Sequence, residues 1–165
     1  MIILGIDPGT ASTGWGIIQK SKIKNQKSKR NGVSCVSYGC IKTPKEMIMP
    51  KRLLMLQKEL KKVIKNYQPD CLAMEQLFFG VNSKTAMSVG QARGVIMVTA
   101  AEKKIPFFEY QGLQVKFMIT GYGRSDKKKI QTSVKKYLKM AEKPKPDDAA
   151  DALAVAICHL IKNEK

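Results

Sequence analysis

The apolar positions of this chain fall into two periods, and the switches between them outline the architecture. Ile2-Ile3-Leu4-Gly5-Ile6 is a short, continuous, β-branched run, which reads as a buried strand over residues 2–7. Pro8-Gly9-Thr10 breaks it, and segments 14–19 and 33–43 read as two further strands of an antiparallel meander, joined by the basic hairpin loop 20–31. From Pro50 the period becomes helical. Leu53, Leu54, Leu56, Leu60, Val63, Ile64 and Tyr67 fall on one side, with Lys and Glu on the other. Pro69-Asp70 stops that helix, and 71–76 reads as a second buried strand. A long helix is expected over 84–103, then a strand over Phe107–Tyr110 after Pro106. From Gly112 onward the pattern is helical, with breaks at 121–125 and 144–146. No repeat or boundary interrupts the pattern, so residues 1–165 read as one domain large enough to bury a core.

Three antiparallel strands followed by two helix–strand units predict a mixed five-stranded sheet flanked by helices. Right-handed crossovers place strand 71–76 parallel to the first strand and beside it. Asp7 and Glu75 end those two strands, so both emerge on the sheet edge where open α/β sheets bind ligands. This is the layout of an RNase H-like fold. Asp148 and Asp151, spaced i and i+3, share a helix face. Pro144, Pro146 and Asp147 form the start of that helix, with Asp147 as N-cap. The positive end of a helix dipole accounts for Asp147 and Asp148. It does not account for Asp151, whose neighbours Ala149, Ala150, Ala152, Leu153 and Ala154 imply burial.

Charge narrows the function. The chain has 30 Lys and Arg against 13 Asp and Glu, a formal net charge of +17, which calls for a polyanionic partner. No basic amphipathic helix with an aromatic face suggests a membrane surface, and no apolar stretch is long enough to span one. Nucleic acid is the expected partner. The short apolar start lacks a basic leader, so no signal peptide is read and a cytoplasmic location is expected. Cys35, Cys40, Cys71 and Cys158 lack metal-ligand spacing and read as buried reduced thiols, and the single His159 gives zinc no partner.

With so few acids available, four set against apolar sequence are informative. If Asp7, Glu75, Asp148 and Asp151 converge, they form a hard oxygen-ligand site suited to Mg²⁺. Two such ions held about 3.5–4 Å apart activate water and stabilise the leaving oxygen of a phosphodiester. A metal-dependent nuclease follows. Asp-Pro-Gly also fits the phosphate-binding start of actin-like and sugar-kinase ATPases, but 165 residues cannot supply their two lobes. Two basic regions read as phosphate contacts: loop 20–31, and a run after the last strand that includes Lys116, Arg124, Lys127 and Lys128. Phe78 and Phe79 follow Glu75, either as core or with one ring stacking or wedging at the bases near the cut. Helix 84–103 carries more apolar surface than one sheet face requires.

In ordered blocks over nearly its whole length the chain resembles the RuvC family of Holliday-junction resolvases. The blocks include Ile3-Leu4-Gly5-Ile6-Asp7-Pro8-Gly9-Thr10, Glu75-Gln76-Leu77-Phe78-Phe79, Gly90-Gln91-Ala92-Arg93-Gly94, Gln114-Val115-Lys116 and Asp148-Ala149-Ala150-Asp151-Ala152-Leu153-Ala154. The resemblance implies a homodimer that binds four-way DNA junctions and makes paired symmetric nicks with Mg²⁺, for which Mn²⁺ can substitute; such nicks need symmetric sites, so helix 84–103 is expected at the homodimer interface. It places Asp7, Glu75, Asp148 and Asp151 on the catalytic acid positions. It places Phe78 on the junction-contacting aromatic, and Lys116 and Lys127 on basic residues near the phosphate. It also implies a branch-migration motor of the RuvA and RuvB type as partner. Loop 20–31 is longer and more basic than the family pattern, and Gly80-Val81-Asn82 lacks a basic residue usual there. A non-cleaving nucleic-acid-binding protein of the same fold is the alternative of another class, opposed by the intact acids. A YqgF-type nuclease would lack the Gly-Gln-Ala-Arg-Gly block.

Overall fold

The computed structural model describes residues 1–21, 32–76 and 83–163. Among the described residues the strands are β1 (Ile2–Asp7), β2 (Ser12–Lys20), β3 (Val33–Lys42), β4 (Cys71–Glu75) and β5 (Phe107–Tyr110). They form one sheet in the order β3-β2-β1-β4-β5. The helices are α1 (Met49–Tyr67), α2 (Ser83–Glu102), α3 (Gly112–Thr120), α4 (Lys127–Leu138) and α5 (Asp147–Lys162). β1, β2 and β3 pair antiparallel, and β1, β4 and β5 pair parallel. The expected mixed sheet is therefore present, with the crossover strand β4 directly beside β1. At the hairpin base the Ser21 amide donates to the Gly32 carbonyl at 2.7 Å. Residues 22–31 of the basic loop lie outside the described residues.

Successive side chains of β1 point to opposite faces, and both faces are covered. Leu4 and Ile6 join Ile17, Leu72 and Met74 beneath α1 and α2, against Leu56, Leu60, Ala92 and Ile96. Ile3 faces the other way with Ile18 and Ala73, against Leu153 and Ile157 of α5 and Val115, Ile130 and Val134 of α3 and α4. Burial on both faces explains why β1 and β4 read as continuous apolar runs. Among the described residues no helix is long and apolar enough to cross a membrane.

The central α5 is apolar almost all round, and from Ala149 to Leu160 only Asp151 escapes full burial. It presses on the sheet because glycines replace side chains beneath it. A Cβ at Gly5 would land on the Ala152 carbonyl, one at Gly14 on the Asp148 carbonyl, and one at Gly16 would sit 2.6 Å from Leu153 Cδ2.

Two local expectations need correction. Asp147 is not the N-cap of α5; Pro146 holds that place, and no side chain caps the helix. Leu54 does not share the buried stripe of α1 but is 50% exposed. His159 is buried in a polar network, with Tyr110 Oη 2.7 Å from Nδ1 and Cys71 Sγ 3.3 Å from Nε2. Burial lowers its pKa and pushes the Cys71 and Cys158 thiols up to about 11. All four cysteines are free.

Candidate active site

Asp7 and Glu75 follow the last paired positions of neighbouring parallel strands, Ile6 and Met74, so their carboxylates leave the sheet at the same edge. The turn after Asp7 is pinned from three directions. Thr13 Oγ1 donates to the Gly9 carbonyl at 2.5 Å, Thr43 Oγ1 donates to the Thr10 carbonyl, and Arg52 Nε donates to Thr43 Oγ1 at 2.9 Å. Asp148 and Asp151 arrive from the first turns of α5, seated on the Gly14 backbone of β2, which pairs with Asp7. All four acids are half-buried.

Electrostatics couple the four acids. The Asp7 pKa is raised well above the usual carboxylate range, by burial first and then by Asp151, Glu75 and Asp148, with Lys127 opposing. Glu75 is raised by burial and Asp151, and held back by Lys116 and Arg93. Asp151 is raised by burial, with Lys127 and Lys116 lowering it and Asp148 and Asp147 raising it. Among the described residues none of the four carboxylates makes an ion pair within contact distance. No group of three or more His, Cys, Asp or Glu side chains there is gathered closely enough to hold a metal ion. The acids are coupled through space, short of a closed ligand shell. Several half-buried carboxylates that repel one another, with Lys127, Lys116 and Arg93 offsetting this only in part, suit a hard divalent cation, whose charge would relieve their repulsion.

The raised pKa values have a signed consequence for stability. A carboxyl whose folded pKa lies above its ordinary value, about 4, stabilises the fold fully below that value and loses the contribution as pH rises through the folded pKa. At neutral pH and without metal, Asp7→Asn should therefore melt above the wild type, with the gap closing below about pH 4. Mg²⁺ should raise the wild-type melting temperature more than that of the variant. Thermal melts across pH check this, and an Asp7→Asn chain that melts below the wild type at neutral pH would show that the Asp7 charge is compensated.

The structure brings Lys116 of α3 and Lys127 of α4 into electrostatic reach of the acids. Lys127 Nζ also lies 3.6 Å from Asp147. Arg124 and Lys128 are exposed at the start of α4 and just before it, with no such coupling to the acids. A groove lined by Lys127, Gln131, Lys145 and Pro146 runs to Asp148. Phe78 lies outside the described residues.

Arg93 is the functional residue that sequence reasoning left without a role. It is buried on α2, donates to the Glu75 main-chain carbonyl, and pairs with Glu109 of β5. It thus ties the helix to the strand end that carries Glu75. The available signal was a cation between Ala92 and Gly94 in an apolar helical run, where it needs a partner. Arg93→Ala should cost about 1–3 kcal/mol of stability, chiefly by leaving the Glu75 carbonyl without its donor, since Glu109 is exposed to solvent. It should also lower the nicking rate per folded molecule. A chemical-denaturation curve with single-turnover kinetics checks both, and normal turnover per folded molecule would limit Arg93 to holding the fold.

Comparison with known proteins gives consistent results. A family described as Crossover junction endodeoxyribonuclease RuvC matches residues 3–159. A crossover junction endodeoxyribonuclease RuvC of Desulfitobacterium hafniense is 52% identical over 159 residues, covering 96% of this chain and 92% of the relative. The Thermus thermophilus RuvC structure superposes with a TM-score of 0.84 at 28% identity, covering 97% of this chain and 93% of that one. T. thermophilus RuvC in complex with Holliday junction substrate gives 0.83 at 26%, with the same coverage.

Proposed function

The chain belongs to the RuvC family of crossover junction endodeoxyribonucleases, and from that premise we propose how its own residues resolve a four-way DNA junction. The family consists of metal-dependent hydrolases that cut phosphodiesters in DNA recombination and repair. Asp7, Glu75, Asp148 and Asp151 are the residues that would hold the metal. Mg²⁺, as two ions, fits their hard oxygen donors and their mutual repulsion. Bound there, the metal supplies positive charge to the scissile phosphate and favours ionisation of the attacking water. The protein's share is placement. Strands β1 and β4 fix Asp7 and Glu75, α5 fixes Asp148 and Asp151, and Arg93 fixes the Glu75 backbone. Lys116 and Lys127, beside the acids, would hold the phosphate, with Arg124 and Lys128 extending the contact along the backbone. Phe78 would meet the bases at the crossover.

The observation that carries this reading is the electrostatic coupling of Asp7 to Glu75, Asp148 and Asp151, offset only in part by Lys127, Lys116 and Arg93, in a chain of net charge +17. A synthetic four-way junction with a matched duplex as control tests it: Mg²⁺-dependent paired nicks are expected on the junction alone. Equal cutting of the duplex, or binding without cutting at any divalent metal concentration, would sink it. The second outcome would favour a non-cleaving junction binder, which the intact acids oppose.

A second copy of the chain fits the outer face of α2. Met87 is 78% exposed, and Val98, 55% exposed, lines a groove with Leu54 of α1 and Gln91, Gly94 and Val95. A Cβ at Gly90 or Gly94 would meet nothing, so this face is open to a close partner. Two-fold pairing here would supply the symmetric sites that paired nicks demand. Val98→Asp should yield monomers and turn paired nicks into single, uncoordinated ones. Sedimentation checks it, and a Val98→Asp dimer would move the interface elsewhere. A branch-migration motor of the RuvA and RuvB type remains the proposed partner and the cytoplasm the proposed location, both supported by family membership.

A further inference from the structure

The outer face of α3 carries apolar surface that folding does not use. Val115 is buried, and Met118 and Ile119 pack on the core. Leu113 and Phe117, one turn apart, are instead 61% and 59% exposed. The loop after α3 returns to the same place, since a Cβ at Gly123 would lie 3.1 Å from the Leu113 carbonyl oxygen. Beside it Tyr122 is 56% exposed on a pinned backbone. Its amide donates to Thr120 Oγ1 at 3.1 Å, and its carbonyl accepts from Ser125 Oγ at 2.8 Å. Lys129 Nζ stands 5.8 Å from the Tyr122 ring centre.

Two further observations say what this surface fits. The segment that carries it, from α3 through α4, is strongly cationic. Between residues 112 and 139 there are eight Lys and Arg and a single acid, Asp126, whose carboxylate is engaged with the Lys129 amide at 2.7 Å as the cap of α4. Protein-binding patches are depleted in Lys, whereas exposed rings in a cationic channel suit the faces and phosphates of single-stranded nucleic acid. The surface is also continuous with the catalytic edge. The Glu75 carboxylate packs against Gly112, where α3 begins, and Lys116, between Leu113 and Phe117 in sequence, acts on both Glu75 and Asp151.

We propose that Phe117 and Tyr122, with Leu113 packed beside them, form a stacking shelf for unpaired nucleotides of the strand beside the cut, while Lys116, Arg124 and Lys129 hold its phosphates. The shelf rests on the resolvase reading and adds to it a contact with bases that have left the duplex. A junction carrying 2-aminopurine next to the crossover would report such stacking by quenched fluorescence.

The test compares wild type, Phe117→Ala, Tyr122→Ala, Phe117→Leu and Phe117→Trp by anisotropy and 2-aminopurine quenching. Each alanine variant should bind the junction about 5- to 100-fold more weakly, the loss expected for one stacked base. It should also leave the salt dependence unchanged, because no charge is removed, whereas Lys129→Ala should flatten it. Phe117→Trp should restore binding and quenching, and Phe117→Leu should not. Alanine variants that bind and quench like wild type overturn the shelf. So does a Phe117→Leu chain that binds like wild type, which would make the patch an apolar docking site for a protein, or a large fall in melting temperature, which would make the rings core. Wild type in the same assay guards the parent reading. If wild type does not prefer the junction, the resolvase reading fails; if it does and the variants match it, only the shelf fails.

Discussion

Asp7→Asn, Glu75→Gln and Asp151→Asn should each abolish Mg²⁺-dependent nicking of a four-way junction while leaving junction binding intact or tighter. The opposite signs come from one cause. On the proposed reading each substitution removes a metal ligand, whose charge stabilisation amounts to several kcal/mol in the transition state, so a loss of about 10³-fold or more is expected. Each also removes a negative charge facing the DNA phosphates, which lowers repulsion in the ground state. The carboxylates are already burdened by one another, as the raised pKa values of Asp7, Glu75 and Asp151 show. Neutralising one should therefore not unfold the chain. Single-turnover nicking alongside equilibrium binding separates the effects, and a variant that nicks near the wild-type rate takes its residue out of the site. Loss of binding in step with nicking would instead make the acid a structural residue.

The placement of Asp7 and Glu75 was legible because a buried parallel strand announces both its length and its end. Once the two strands are neighbours, their terminal residues must share an edge. Asp151 was legible because an acid among alanines contradicts its surroundings. The cap of α5 was not. Its sequence offers Asp147 as N-cap, but Pro146, with ψ of −179°, takes that place, and its carbonyl accepts from the Ala149 and Ala150 amides. Asp147 becomes the first helical residue, and its side chain turns to Gln131 Nε2 at 2.7 Å and to Lys127. That outcome depends on where α4 lies, which no local pattern encodes. Arg93 escaped for the same reason: its partners are the end of β4 and Glu109 of β5, met only once the sheet is assembled. Leu54 shows a further limit, since periodicity marks an apolar stripe without saying whether its edge meets the core or a partner.

Gly14→Ala, far from any charge change, should nearly match the acid substitutions in its effect on nicking. Gly14 pairs with Asp7 across β1 and β2, and its Cα lies directly under the Asp148 carbonyl of α5. A methyl group there meets backbone oxygen and carbon, not the end of a flexible side chain, so no rotamer change relieves the clash. The first turn of α5 must lift from the sheet, carrying Asp148 and Asp151 away from Asp7. Overpacking costs about 1–3 kcal/mol where side chains can yield, and a backbone obstacle belongs at or above the upper end. At about 2–4 °C per kcal/mol for a chain of this size, the melting temperature should fall by roughly 6–12 °C. Displacing a metal ligand by even about 1 Å is enough to cost about 10²-fold in rate. Nicking per folded molecule should therefore drop at least that far, and the stabilisation by Mg²⁺ should shrink with it. Junction affinity should fall much less, since no cation has been removed. A Gly14→Ala chain that melts low but nicks normally once folded would show that α5 can shift without disturbing its carboxylates. If it loses both nicking and the Mg²⁺ response, the glycine in β2 sets the position of the metal site as surely as the acids supply its charge.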